Sequence, residues 1–322
     1  MDIEMLNTMF VQSLDDPSER AKLAEETGAY VRTRIREVSF ARKILMPVPV
    51  TKAECQRSVN HDQLVKIVDI EPNSMAMSIN FRGAPSTEYI LGDRYEIPFF
   101  GISSKEYQKN EEELLAYEMP ITEIIENNSM KDLHAIEDEA FIAQVEAAIA
   151  ATQKTQDVDA YNTVSGELDP LVFVRLFNKL ENSGDTHGES GATSSTALRH
   201  NFEAKRYDTD CVLMNRADYN KMLVWTAADR GTAFAENVTI NGFNYSTIFG
   251  KKIIATTKGE LVPPGTMYAF AAKPFIGHGY ILGDVKFWVE KRKNVITWSL
   301  YEIIGYGIGN TYAMAKVTFT LL

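Results

Sequence analysis

The sequence predicts an α+β protein, and three observations carry that reading. Phe141, Val145, Ala148 and Ile149 lie at i, i+4, i+7 and i+8, the apolar stripe of a helix. Met75, Met77, Ile79 and Phe81 alternate with polar or small neighbours, and Ala313, Ala315, Val317 and Phe319 do the same near the end, the period of half-buried strands. Asn241-Gly242, between Val238-Thr239-Ile240 and a strand-like run from Phe243 to Ile248, has the chemistry of a two-residue hairpin turn. Helical patterns gather in the middle of the chain and strands in its last third, which is an α+β order.

Composition bounds the function. The chain has 322 residues, 45% hydrophobic and 24% charged, enough for one large or two intimately joined domains. The most apolar stretch, Met267 to Leu282, is broken by Lys273, Pro274 and His278, so no membrane span is expected. The start, Met1-Asp2-Ile3-Glu4, lacks the basic-then-apolar order of a signal peptide. Net charge is -11, from 44 acidic and 33 basic side chains, which argues against a dedicated nucleic-acid binder and limits such contact to one face. Cys55 and Cys211 read as free thiols of a reducing compartment.

Residues 1–16 read as an arm. Asp16-Pro17 opens a helix over 17–27. Val31 to Leu45 is arginine-rich, with Arg32, Arg34, Arg36 and Arg42, then Lys43; Met46-Pro47-Val48-Pro49 is extended. Residues 64–82 read as a hairpin turning at Glu71-Pro72-Asn73-Ser74. Residues 85–118 form a long acidic, aromatic segment with little to bury it, so Tyr89, Tyr95, Phe99, Phe100 and Tyr107 are expected to be exposed on a lone subunit and covered by a neighbour. Ile121 to Ile125 reads as a strand, and Ser129-Met130-Lys131-Asp132 as the start of a helix reaching about Gln153. Asp169-Pro170 opens another helix, with Phe173, Leu176, Phe177 and Leu180 as its stripe. Residues 182–196 are a Gly/Ser/Thr-rich connector. Asn215 caps a third helix that buries Tyr219, Met222 and Leu223. Pro263-Pro264-Gly265 is a turn, and Ile296, Trp298 and Leu300 alternate along a strand.

This order of elements resembles the major capsid protein of tailed bacteriophages, the Hong Kong 97-type fold, which encapsulin shells share. The resemblance covers nearly the whole chain and rests on order, since no single motif in it is diagnostic. It implies an N-terminal arm and helix at 1–50, a peripheral domain at 51–84, an extended loop at 85–118 and the peripheral domain with its long spine helix at 119–165. An axial domain follows at 166–282, including Cys211-Val212-Leu213-Met214-Asn215-Arg216-Ala217-Asp218-Tyr219, then peripheral return strands at 283–306 and a C-terminal axial strand at 307–322. The implied function is structural rather than enzymatic: pentamers and hexamers of an icosahedral phage head around packaged DNA. The implied partners are the chain itself, a portal, a separate scaffolding protein and a decoration protein, with no cofactor and no membrane; the implied place is the virion shell, assembled in the host cytoplasm.

Candidate sites follow from both readings. Tyr89, Tyr95, Phe99, Phe100 and Tyr107 are the expected contacts of the loop with a neighbouring subunit, with Tyr95, Phe99 and Phe100 as anchors. Arg32, Arg34 and Arg36 share one face if extended, and would meet a neighbour's acidic patch or nucleic acid. His134 and Glu137, three apart on a helix, have metal-ligand spacing but no third ligand near them, and Asp138 beside them suits a first helical turn. Lys105 and Lys109 read as surface lysines rather than cross-linking groups. His187, in Asp185-Thr186-His187-Gly188-Glu189-Ser190-Gly191, matches neither Gly-x-Ser-x-Gly nor a phosphate loop. The alternatives to a phage head are an encapsulin-like compartment and, from another class, a hydrolase using His134, His187 or His278.

Overall fold

A computed structural model describes residues 39–57, 63–71, 83, 87, 89, 94–115, 121–154, 163–181, 207–222, 237–240 and 243–320. The helix expected at 17–27, the alternating strand at 75–81, the connector at 182–196, and Arg32, Arg34, Arg36, His187 and Leu223 lie outside those residues.

Ser39 caps a short helix, α1 (Phe40–Ile44), its hydroxyl accepting from the Arg42 amide. Met46-Pro47 cannot prolong that helix, and the chain extends into β1 (Val48–Pro49) as expected. A 3-10 turn leads to β2 (Gln56–Arg57) and β3 (Leu64–Asp69). Next come β4 (Arg94–Pro98), β5 (Phe100–Ser103), β6 (Tyr107–Asn110) and the short helix α2 (Glu111–Leu115). The helix α3 (Ile121–Lys154) has 34 residues and so runs for about 50 Å. β7 (Thr163–Glu167), α4 (Pro170–Glu181), β8 (Thr209–Asn215) and α5 (Arg216–Met222) follow. The last third holds β9 (Asn237–Ile240), β10 (Phe243–Ile248), β11 (Lys251–Thr256), β12 (Thr266–Ala271), the one-turn helix α6 (Lys273–Ile276), the long hairpin of β13 (Gly277–Arg292) and β14 (Val295–Ile308), and β15 (Met314–Thr320).

Among the described residues the strands form three sheets. A seven-stranded sheet has the order β7-β15-β12-β8-β11-β10-β9. Its inner strand β12 is buried at every position, which is why Thr266 to Ala271 reads as an apolar run rather than an alternation. A second sheet has the order β1-β13-β14-β5, with β6 also on β14, and a third runs β2-β3-β4. β9 and β10 pair antiparallel from Asn237↔Ser246 to Ile240↔Phe243, the hairpin that the sequence predicts.

Local chemistry explains the other boundaries. Asp169 accepts from the Leu171 amide, Pro170 stands first in α4, and Val172, Phe173, Leu176, Phe177 and Leu180 form its buried stripe. Asn215 Oδ1 accepts from the Ala217 amide at 2.9 Å and caps α5, while its Nδ2 donates to the Val262 carbonyl at 2.7 Å. The turn at Pro263 closes with the Thr266 amide on the Pro263 carbonyl, and Gly265 takes the φ of +89° that this turn needs.

Two expectations fail here. Residues 121–125 are the first turns of α3, not a strand: Ile121, Thr122, Ile124 and Ile125 favour strands in isolation, but tertiary packing overrides weak propensity. Ser129 to Asp132 therefore lies inside the helix, with Ser129 and Met130 buried, and starts nothing. β3 also pairs antiparallel with β4, from Val65↔Pro98 to Asp69↔Arg94, while the return strand of the hairpin expected at 64–82 lies outside the described residues.

α3 joins the two larger sheets. Phe141, fully buried, lies 6.0 Å from the ring of Phe270 on β12 and edge-on at 5.7 Å to Tyr306 on β14. Glu146 accepts from Tyr268 of β12 and, at 2.7 Å, from Lys316 Nζ of β15. Replacing Phe141 with Ala removes the ring on which both sheets close. We expect a loss of about 3–5 kcal/mol, read as a lower denaturant midpoint of the unassembled subunit.

Candidate functional site

Two elements far from it in sequence, α3 and β14, converge on Arg42. Its Nε donates to Glu137 Oε1 and Oε2 of α3 at 2.8 and 3.0 Å. Its Nη2 donates to Glu302 Oε1 of β14 at 2.6 Å. The three side chains are at most 2% exposed. Tyr306 of β14 donates its hydroxyl to Glu137 as well. One residue on, Asp138 Oδ1 accepts from the Ser39 hydroxyl at 2.7 Å and from the Ala41 amide at 3.0 Å. Asp138 Oδ2 accepts from Lys258 Nζ at 2.6 Å, and that ammonium also donates to the His134 carbonyl. The N-terminal segment is thus riveted to α3 and β14 where it enters the described fold.

The electrostatics follow from burial. One guanidinium faces two carboxylates in a space closed to water. Burial alone would lower the Arg42 pKa, but the fields of Glu137 and Glu302 override it and raise it. Burial pushes the Glu137 carboxyl up to about 7; Arg42 opposes that shift and Glu302 adds to it. Burial also drives the Tyr306 hydroxyl well above its usual range, so it remains a donor.

The segment 85–118 differs from expectation. Its described residues 94–115 are not an irregular excursion: β5 pairs with β14 from Phe100↔Ile304 to Ser103↔Tyr301, and β6 pairs with β14 from Tyr107↔Trp298 to Asn110↔Val295. Between them the Ser104 amide donates to the Leu300 carbonyl, and its hydroxyl accepts from the Leu300 amide, so the edge of β14 stays covered. The chain leaves the three-stranded sheet at Asp69 and returns at the paired Arg94, whose Nε lies 2.8 Å from the Asp69 carboxylate. Residues 70–93 therefore depart from and return to one point.

Five aromatics were expected to be exposed there. Tyr89 is, at 93%. Phe99 is not: it is 6% exposed, in its own subunit's core, with its amide on the Leu64 carbonyl. Phe100 and Tyr107 pack against the main core, and Tyr107 donates to Asp132 at 3.0 Å. Tyr95 is half-buried, 2.9 Å from Nδ1 of His278. β14, which sequence reading had not matched to this segment, supplies their cover.

One sequence signal had gone unread. In Gly305-Tyr306-Gly307-Ile308-Gly309 the glycines lie beneath β4. A Cβ on Gly307 would stand 2.4 Å from Ile97 Cγ1, on Gly305 2.8 Å from the Pro98 carbonyl, and on Gly309 2.7 Å from the Tyr95 ring. Only glycine lets β4 lie directly across β14.

Of the three histidines of the hydrolase reading, His134 and His278 lie among the described residues. His134 is 1% exposed in the middle of α3, not in a first turn, and His278 bonds Tyr95 and stacks on Tyr280. Lys109 pairs with Glu113 at 2.9 Å.

No family model matches this chain, and no curated protein does. Solved structures do. A chain of Microbacterium phage Oxtober96 matches with a TM-score of 0.54 at 12% identity, over 88% of this chain and 91% of that one. The capsid of a native GTA particle matches with a TM-score of 0.50 at 12% identity, over 87% and 90%. The mature capsid of bacteriophage PhiM1 matches with a TM-score of 0.50 at 9% identity, over 88% of both chains. This chain has a phage capsid fold. Within that fold, the Arg42 cluster and the glycine stripe hold the two places from which chain departs: Ser39 and the Asp69–Arg94 pair.

Arg42→Ala strands two buried carboxylates, and we expect it to cost about 3–5 kcal/mol, measured by denaturant unfolding of the subunit. The Glu137 carboxyl also sets a pH dependence. Its folded pKa lies above its ordinary 4.5, so the fold binds a proton that the unfolded chain gives up. That contribution is complete below about 4.5 and lost as pH rises through about 7. Stability should fall between pH 5 and 8, and Glu137→Gln should flatten the fall.

Proposed function

We propose that this chain is a major capsid subunit of the tailed-phage type, which self-assembles into pentamers and hexamers of an icosahedral head enclosing a DNA genome. The observation that carries the reading is the capsid fold, matched over most of the chain: each of the three structures covers at least 87% of this chain and is itself covered over at least 88%. A subunit of this kind acts through contacts rather than catalysis, and many modest contacts become strong once a lattice closes.

On this reading α3 is the spine helix of a peripheral domain built on the β13–β14 hairpin, and the seven-stranded sheet is the axial domain. Residues 70–93, rather than 85–118, are the part of the extended loop that reaches a neighbour, with Tyr89 as its exposed aromatic. Tyr95, Phe99, Phe100 and Tyr107 support the base of that loop from within. The N-terminal segment, with Arg32, Arg34 and Arg36, reaches a neighbour or the packaged DNA. Portal, separate scaffolding and decoration proteins are the further partners, the assembled shell is part of the virion, and assembly takes place in the host cytoplasm.

Negative-stain electron microscopy with light scattering tests the reading. Closed shells, or rings of five and six subunits, are expected from the purified chain or from the chain with its scaffold. A monomer that binds a small ligand stoichiometrically, and never assembles, overturns it. The contents of shells made in cells separate the phage head from a compartment of the same fold: nucleic acid supports the former, a single protein cargo the latter.

A further inference from the structure

Among the described residues β13 is paired along its whole length on one side only. β14 follows it from Gly277↔Ile308 to Arg292↔Val295. On the other side β1 pairs at Val48↔Tyr280 and Pro49↔Ile281 and stops. Among the described residues no strand lies against that side from Gly283 to Arg292. An open row of backbone donors and acceptors is a template for another strand.

The side chains say which strand fits. Phe287 and Val289 turn into the core, at 2% and 8% exposure. Lys286, Trp288, Glu290 and Arg292 take the opposite, exposed face, and Trp288 is 57% exposed. A large aromatic left open at the middle of an unpaired edge marks a contact surface.

The charge order is self-complementary. Set two copies of β13 antiparallel, edge to edge, with Trp288 opposite Trp288. Lys286 of each copy then faces Glu290 of the other, one opposite-charge pair on either side of the aromatic pair. Centring the pair on Val289 instead would set Lys286 against Arg292, and a parallel arrangement would set like against like at every position. The arrangement is isologous, as a two-fold contact requires. Glu290 pairs within its own chain with Arg292 at 2.8 Å, but both groups are more than half exposed, and a surface pair of this kind is weak enough to be shared.

We infer that the β13 edges of two subunits join across a two-fold axis, Trp288 against Trp288, into one sheet that runs through both. The inference rests on the self-assembly reading in taking a second copy as the occupant.

Cross-linking and charge exchange in the full chain test it. Trp288→Cys in a Cys55→Ser background should form a disulfide between copies on mild oxidation, mapped by mass spectrometry to residue 288 of both. Lys286→Glu sets like charges at both pairs and should reduce that cross-link about tenfold, and Lys286→Glu with Glu290→Lys should restore it. All these positions are exposed, and circular dichroism should match the unmodified chain. A photo-reactive residue in place of Trp288 identifies the occupant. A link to β13 of a second copy supports the edge contact; a link to residues 1–38 or 70–93 overturns it. Particles that form without the disulfide, and do not respond to charge exchange, overturn the edge contact and leave the capsid reading standing. A chain that gives neither particles nor dimers, alone or with its scaffold, overturns both.

Discussion

One guanidinium inside a closed space governs how this chain is assembled. Arg42 enters from the N-terminal segment and is held by Glu137 from the middle of α3 and Glu302 from β14. A charge in such a place is tolerated only because each partner is present, and the partners in turn need it. The arrangement is not a cheap source of stability, since an apolar replacement of matched shape often does as well. What it supplies is register. In the observed placement α1 meets Glu137, Glu302 and Asp138 together.

The β13–β14 hairpin is the platform on which everything else is set. β5 and β6 cover one edge, β1 touches the other, and the glycines at 305, 307 and 309 let β4 cross at close range. The two departures of the chain, at Ser39 and at the Asp69–Arg94 pair, thereby start from rigid ground. α3, with Phe141 between Phe270 and Tyr306, carries that rigidity to the seven-stranded sheet.

Much of the fold was legible where local chemistry and burial agree. The stripe of α4, the Asn215 cap, the Asn241-Gly242 hairpin and the alternation of Ile296, Trp298 and Leu300 all appear as their residues predict. The start of α3 was hidden because its buried face is polar there: Glu126, Ser129, His134, Glu137 and Asp138 continue the helical period of Met130, Leu133, Phe141 and Val145, and no hydrophobic pattern reveals it. The same cause hid the Arg42 cluster. Arg42 reads as one more residue of an arginine-rich surface, and only its meeting with two carboxylates from other segments makes it interior.

By itself, then, the sequence determined the α+β class, the order of elements and the local signals that start and stop helices and turns, because those depend on neighbours within a few residues. It also carried the order that resembles a capsid subunit. The tertiary structure alone decided that the aromatics of 94–107 support the chain from within, that three glycines are a crossing point, and that Asp69 and Arg94 stand as a pair. These depend on pairings between strands some two hundred residues apart along the chain, such as Phe100 with Ile304. No local pattern encodes such a partner, since the free energy that selects it arises only when both strands are brought together.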